Sequence, residues 1–306
     1  MREHKHDWTS IYRQYGVRNI TQLVNKTGGI RATGRLLHLN ESTIRHKIAS
    51  EETDSLNKPQ TIFYFTDTHV QPKLETDHLG WIAKHIKEIN PDYIINGGDF
   101  ADAESLCSHI LPHTLDARQK PSLKSDIACM EDAMLMISEL SGRRDIHVTL
   151  GNHEERIWTM EKNNPDLAYL LQERFDGAYE KAGWTYTKFG VYHTLCGVDF
   201  THAPMMMSGK PVGGKLSVNN VASNSVADCV YGHTHMKAEL SVKKFGPDRQ
   251  TTAINGGCSM PIGYIPKYVQ GGSSGWWHGV IEIEVQNGRI QDTTFISLEK
   301  LKKLYA

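Results

Sequence analysis

The sequence predicts an α/β layered domain preceded by a small helical domain. Three observations carry this expectation. From residue 61 onward, compact β-rich runs alternate with amphipathic helical runs, as expected of strands and helices stacked in layers. Residues 1–50 contain no such strand run and read as helical and rather basic. Between them, EETDSLNKPQ at 51–60 is polar and carries Pro59, the composition of a linker. The expected boundaries are 1–55 for the helical domain with its linker and 56–306 for the α/β domain. A chain of 306 residues is long enough for both.

The elements follow in order. NITQLVNKTGG reads as a helix stopped by glycines. IRATGRLLHL and NESTIRHKIAS follow as two short helices joined by a tight polar turn, with Asn40 as N-cap of the second, a helix-turn-helix pattern. TIFYFTD is a β-rich run ending in polar residues, LGWIAKHIKEI an amphipathic helix, and DYIINGGD a second buried strand. PSLKSDIACMEDAMLMISEL is a long helix with Pro121 suited to its first turn, and DIHVTLGNHE a third strand. GVYHTL, VDFTHA, ADCVYGHTH and TTAING lean towards β. HGVIEIEVQNGRIQDTTFISL reads as a hairpin turning at Asn287 and Gly288.

The bulk numbers exclude several classes. A net charge of -1 gives no global basic character, so a nucleic-acid partner needs a local patch. Five scattered cysteines without a CxxC pair fit free thiols in a reducing compartment. No apolar run approaches the roughly 18 residues that span a bilayer, and MREHKHDWTS is no signal peptide. A cytoplasmic protein without a membrane partner is expected, host cytoplasm included if the gene is carried by a phage. The 16 histidines are the unusual number, and many sit in short polar phrases.

Those phrases share a position. FYFTDTH, YIINGGD, HVTLGNHE and ADCVYGHTH each run an apolar strand into metal-binding side chains. In open α/β sheets, ligands collect at the carboxyl ends of strands, so four such ends can converge on one cleft. In DTH at 67–69 and HTH at 233–235, residues two apart on extended chain point to one side. Gly97, Gly98, Gly151 and Gly232 let the chain turn where a Cβ would clash. Imidazole, carboxylate and amide oxygen together suit Mn, Fe, Zn, Co or Ni, whereas calcium wants oxygen alone. Any one phrase is common at strand-end turns, and a single His202 in THAP fits an ordinary loop. The joint occurrence, in order, points to a metal site.

The series DTH, GGDFAD, GNHE, THAP, GHTH resembles the calcineurin-like metallophosphoesterase superfamily, whose pattern is D-x-H, G-D-x-x-D, G-N-H-E/D, a single H, and G-H-x-H. The match covers residues 67–235. It implies a four-layer αββα sandwich and two divalent metal ions, with Mn2+ expected first. It implies that Asp67, His69 and His235 hold one ion and Asn152, His202 and His233 the other, with Asp99 bridging. His153 would stand outside the ligand set as general acid, oriented by Asp102. Water on a metal loses its proton far more readily, its pKa falling from about 15.7 to about 7 on one zinc, so a hydroxide bridging two metals is the expected nucleophile. Arg156 would bind a substrate phosphate or brace its own loop.

The superfamily includes phosphatases, nucleotide phosphodiesterases and nucleases, so the substrate must come from elsewhere. Residues 28–50 resemble helix-turn-helix segments of small DNA-binding domains. Arg31, Arg35, Arg45 and Lys47 outnumber the single acid Glu41 across 31–48, and Ser42, Thr43, Arg45 and His46 would lie on or beside the recognition helix. The same helices could serve only packing or oligomerisation, and a homodimer is compatible. The tail resembles the strand pair that closes exonuclease-like bacterial and phage members, such as the nuclease subunit of the SbcCD complex. Trp276 and Trp277 there would stack on bases or fill the rim. A DNA nuclease is the favoured expectation. A phosphatase or phosphodiesterase for a small nucleotide or phosphoprotein is the alternative, and a catalytically silent DNA-binding regulator the third. The methionine run at 205–207, in MMMSGKPVGGK, reads as a mobile loop over the cleft, an interface or core.

Overall fold

The structure, a computed structural model, describes residues 6–17, 19–108, 110, 113–246, 249–266, 269 and 275–306. Its contacts divide the chain into Met1–Pro59 and Gln60–Ala306. Among the described residues, no helix is long and apolar enough to cross a membrane.

The first unit consists of helices α1 (Trp8–Tyr15), α2 (Ile20–Thr27), α3 (Ile30–Leu37) and α4 (Glu41–Asn57). Ile20, Leu23 and Ile44 form its buried centre, with Trp8, Ile11, Tyr12 and Leu39 packed around them. Gly28 ends α2 at φ 86°, as the glycine pair suggested. Three residues, 38–40, join α3 to α4, and Asn40 precedes α4 without a side-chain capping bond. The expected linker is partly wrong, because α4 runs to Asn57 and takes in most of residues 51–60. Nothing in EETDSLN breaks a helix, and the break comes at Lys58, forced to extended geometry by the following proline.

The second unit holds two sheets. The first has the order β11-β10-β1-β2-β3-β4, from β1 (Gln60–Phe65), β2 (Tyr93–Asn96), β3 (Ile146–Thr149), β4 (Thr185–Thr187), β10 (Gly279–Gln286) and β11 (Arg289–Ser297). β1 to β4 run parallel, and the β10–β11 hairpin adds antiparallel to β1. Asn287 and Gly288 form its turn at φ 55° and 72°. The second has the order β5-β6-β7-β9-β8, from β5 (His193–Leu195), β6 (Val198–Phe200), β7 (Cys229–Tyr231), β8 (Lys237–Lys243) and β9 (Gln250–Gly256). Between these strands lie α5 (Asp77–Ile89), α6 (Leu115–Gln119), α7 (Leu123–Ser141), α8 (Glu155–Asn163), α9 (Leu170–Ala182) and α10 (Ser217–Asn224), with α11 (Leu298–Tyr305) at the end. Ser122 caps α7, so Pro121 stands before the cap rather than in the first turn.

Side-chain alternation explains the layers. On β1, Ile62 and Tyr64 pack with Val198, Phe200, Val230 and Ile254 between the sheets, while Phe63 and Phe65 pack with α5, α7 and α9 residues on the other face. On β7, Val230 faces inward and Cys229 and Tyr231 pack with Val221 and Ala222 of α10. The result is the four-layer αββα sandwich. Strands β1, β2, β3, β6 and β7 each run straight into a ligand phrase, one more strand end than the sequence pattern suggested.

Stacked histidines give this sandwich a pH dependence. The rings of His147 on β3 and His193 on β5 stack at 3.7 Å. Burial, then the neighbouring His193, pushes the His147 pKa down to about 3. The unfolded chain, with histidine near 6.5, therefore binds more protons than the fold between those values. The stability from the neutral His147 is present above about pH 6.5 and is lost progressively as pH falls towards 3. Chemical unfolding from pH 7 to 5 will show falling stability, with a shallower slope in His147→Gln.

Candidate metal centre

The ligand phrases adopt unusual backbone. Asp67, His69, Asp99, His233 and His235 all have positive φ, between 46° and 71°. Non-glycine residues rarely enter this region, and such strain clusters at functional sites. DTH and HTH are therefore not extended as the sequence suggested. Their alternate residues meet because each phrase turns through left-handed positions. The glycines act mainly by crowding. A Cβ on Gly151 would lie 2.0 Å from Asp99 Oδ1, and one on Gly232 would lie 2.3 Å from Asp67 Oδ2. Gly151→Ala is expected to cost about 1–3 kcal/mol and to lower bound metal, read by thermal melting and metal analysis.

Three sets of side chains come close enough to hold a metal: two carry the expected ligands, and the third, His69, Asp102 and His153, shares His69 with the first. In the first, Asp67, His69 and His235 are all buried. His69 and His235 turn their Nε2 atoms to within 3.3 Å of each other, and His235 Nε2 lies 3.0 Å from Asp67 Oδ1. In the second, Asp99 and His202 are buried and His233 is half-buried. His202 Nε2 lies 3.3 Å from Asp99 Oδ2 and 3.2 Å from Asn152 Oδ1. Asp99 Oδ2 also lies 3.9 Å from His69 Nε2, so this carboxylate stands between the groups. Half-buried Asn152 and His233 make the second group the more open one.

The surrounding bonds fix which atoms face the centre. His202 Nδ1 donates to Gly97 O at 2.8 Å and His69 Nδ1 pairs with Asp102 Oδ1 at 3.3 Å, which leaves both Nε2 lone pairs for a ligand. Burial opposes charge on Asp99, yet His153 and His202 hold its pKa well below the usual range. Burial likewise opposes charge on His202, yet Asp99 and Asp67 push its pKa up to about 10. This field attracts positive charge, and the convergent buried donors fit divalent cations better than they fit one another.

His153 sits beside the groups. Its Nδ1 donates to Asp102, 2.8 Å from Oδ1 and 2.7 Å from the carbonyl oxygen. Its ring meets that of His69 edge-on at 4.5 Å, and its Nε2 lies 3.8 Å from Asp99 Oδ2. Asp102 thus touches both His69 and His153. Arg156 donates through Nη1 to Asp102 O at 2.8 Å and Ala103 O at 3.3 Å, while its Nη2 lies 3.2 Å from His153 Nε2. It is braced by carbonyls rather than by an acid, with one edge of the guanidinium at His153 Nε2.

Other placements differ. Trp276 packs its ring edge-on to His235 at 4.2 Å. Trp277 instead packs on Phe295 under the Lys237 ammonium, so it fills the fold and does not offer a stacking face. On α4, Ser42, Arg45 and His46 are exposed and Thr43 is half-buried. Lys47 is taken up by Glu51 at 3.2 Å and by the Trp8 ring.

Sequence reasoning assigned no role to Glu154, which is fully buried. Its carboxylate accepts from the backbone N–H groups of Asp99, Ala101 and Gly151 at 3.1, 2.9 and 2.8 Å, clamping the β2 and β3 loops together. Ser259, after β9, backs the β1 loop by donating its N–H to Thr66 O at 2.7 Å. An acid directly after a ligand run was the available signal for the first. None marked the second.

Among known proteins, the calcineurin-like phosphoesterase model matches residues 61–237. No curated protein matches. Among solved structures, a phosphoesterase from E. coli, Yfce, aligns at 13% identity over 78% of this chain and 100% of its own, with a TM-score of 0.34. TT1561 of Thermus thermophilus aligns at 9% identity over 66% of this chain and 90% of its own, with a TM-score of 0.29. The family model spans more than half of the chain and every ligand phrase from the first strand end to HTH, so the chain belongs to the calcineurin-like phosphoesterase family and is a metal-dependent phosphoesterase.

Proposed function

We propose that the protein is a dinuclear metal-dependent phosphodiester hydrolase acting on DNA. The observation that supports the chemistry is the pair of buried ligand groups with Asp99 Oδ2 between them, 3.3 Å from His202 Nε2 and 3.9 Å from His69 Nε2, and His153 Nε2 3.8 Å from the same oxygen. Asp67, His69 and His235 hold one divalent ion, Asn152, His202 and His233 the other, and Mn2+ is the first candidate. Bound there, the ions supply Lewis acidity and a nucleophile at neutral pH. His153 protonates the leaving oxygen through Nε2, because Nδ1 is committed to Asp102. Asp102 keeps that tautomer and orients His69 as well. Arg156 Nη2 and His153 Nε2 stand close enough to donate to one phosphate oxygen together.

Support for DNA comes from the first unit. Exposed Arg35, Ser42, Arg45 and His46 lie on α3 and α4, joined by a three-residue turn, with Glu41 as the nearby acid. The test measures cleavage of plasmid and linear DNA, and of bis-p-nitrophenyl phosphate, by the wild type and by an Arg35→Ala/Arg45→Ala variant at several salt concentrations. The variant is expected to hydrolyse the small diester normally and to need more DNA, with a shallower salt dependence. Equal DNA cleavage by both overturns the role of these helices. Preference for the p-nitrophenyl monoester over the diester would make the enzyme a phosphatase instead.

A further inference from the structure

The methionines after His202 are not core, since Met206 and Met207 are exposed. Val212 N–H donates to Pro204 O and Met206 N–H to Lys210 O, both at 2.8 Å, and Gly209 N–H closes the turn on Met206 O at 2.8 Å. Met205 pairs with Pro211 as an antiparallel bridge. This is a hydrogen-bonded hairpin with Met207 wholly exposed near its tip (109%) and Met206 also exposed (37%). A structured turn that displays two methionines to water gains nothing from them in the fold.

The surroundings point to an occupant. Tyr192 and Val191, in the β4–β5 connection, are exposed, and beside them Gly190 approaches the hairpin so closely that a Cβ there would meet Met205 Cγ at 3.7 Å. Phe189, in the same β4–β5 connection, packs its ring 6.1 Å from that of His202. The apolar patch therefore reaches the more open of the two ligand groups. Lys210 and Lys215 stand exposed along it, and neither makes an ion pair among the described residues. From residue 201 to 227 the sequence carries no acid. Soft thioethers and an aromatic ring offer surfaces to flat π-systems, and two ammonium groups offer charge to phosphates. An apolar protein partner has no need of the lysines.

We infer that the 205–211 hairpin, with Tyr192, Lys210 and Lys215, is the platform that binds the unpaired bases and adjoining phosphates of a single-stranded nucleic-acid substrate beside the metal centre. This rests on the phosphodiesterase reading above. Methionines and tyrosine take the bases, and the lysines take the backbone. Contact of this kind tolerates any base sequence, because every base has a π-face.

The test uses the full chain and two variants, Met206→Ser/Met207→Ser and Lys210→Ala/Lys215→Ala. All four side chains are exposed, so unchanged thermal midpoints are expected. The substrates are a labelled single-stranded oligothymidylate and bis-p-nitrophenyl phosphate. KM for the oligonucleotide is expected to rise on the order of tenfold in each variant, with bis-p-nitrophenyl phosphate turnover unchanged. Wild-type cleavage of the oligonucleotide with the same KM in both variants overturns the platform and leaves the phosphodiesterase reading intact. A wild type that cleaves plasmid DNA but neither cleaves nor binds the oligonucleotide overturns the platform and leaves the DNA reading intact. Light scattering adds a third outcome: a dimer lost in the methionine variant, with KM unchanged, assigns the patch to a second copy of the chain and overturns the platform.

Discussion

His153→Ala is expected to keep both metals and to lose about 10²- to 10⁴-fold in turnover, the usual contribution of a positioned proton donor. The reason is geometric. The imidazole stands against His69 and near Asp99, yet its Nδ1 is taken by Asp102 and its Nε2 lies nearer Arg156 than any ligand carboxylate. Removing the ring therefore opens space without removing a donor from either group. Metal analysis on the purified variant separates this from the alternative. Loss of one ion with the ring would make His153 a ligand, and turnover near wild type would remove it from the reaction. Arg156→Ala should be milder in turnover and should raise KM, because the guanidinium is held by the Asp102 and Ala103 carbonyls and reaches His153 Nε2 with no hydrogen bond to any expected metal ligand among the described residues.

Glu154→Ala is expected to be the most damaging substitution outside the ligands. It leaves three buried N–H groups, those of Asp99, Ala101 and Gly151, without their acceptor. Each unsatisfied group costs about 1–3 kcal/mol, so a total above roughly 3 kcal/mol and a fall in melting temperature of about 10 °C are expected for a unit of this size. Burial, then Asp99, pushes the Glu154 pKa up, so its charge depends on those N–H groups as much as they depend on it. Metal affinity should fall too, because Asp99 and the Gly151 turn are the two loops it ties. Glu154→Gln keeps one acceptor oxygen and should fall between. A Glu154→Ala protein that melts and binds metal like wild type would show that the clamp is dispensable.

The layers were legible because their pattern is period two on strands and amphipathic on helices: Ile62 and Tyr64 against Phe63 and Phe65 already separate two faces. The ligand phrases were legible because histidine and aspartate recur after apolar strands. Their geometry was not. The sequence shows DTH and HTH, but positive φ at Asp67, His69, His233 and His235 depends on what crowds each turn, and that is tertiary. The end of α4 is not legible, because the polar run 51–57 fits a linker and an exposed helix equally, and the helix continues to Asn57. For Trp277 the sequence leaves base stacking and packing open, and Phe295 with Lys237, distant in sequence, decide for packing. Glu154 looked like the tail of a motif, since nothing local shows that three loop N–H groups converge on it.

The most direct test of the central claim is a metal titration of the protein stripped by chelator, with hydrolysis of bis-p-nitrophenyl phosphate and bound metal followed together. Two ions per chain, with activity returning only as the second site fills, is the result expected if the two ligand groups share Asp99, which lies 3.3 Å from His202 Nε2 and 3.9 Å from His69 Nε2. Full activity at one ion per chain, or hydrolysis that survives complete removal of metal, would contradict the dinuclear centre.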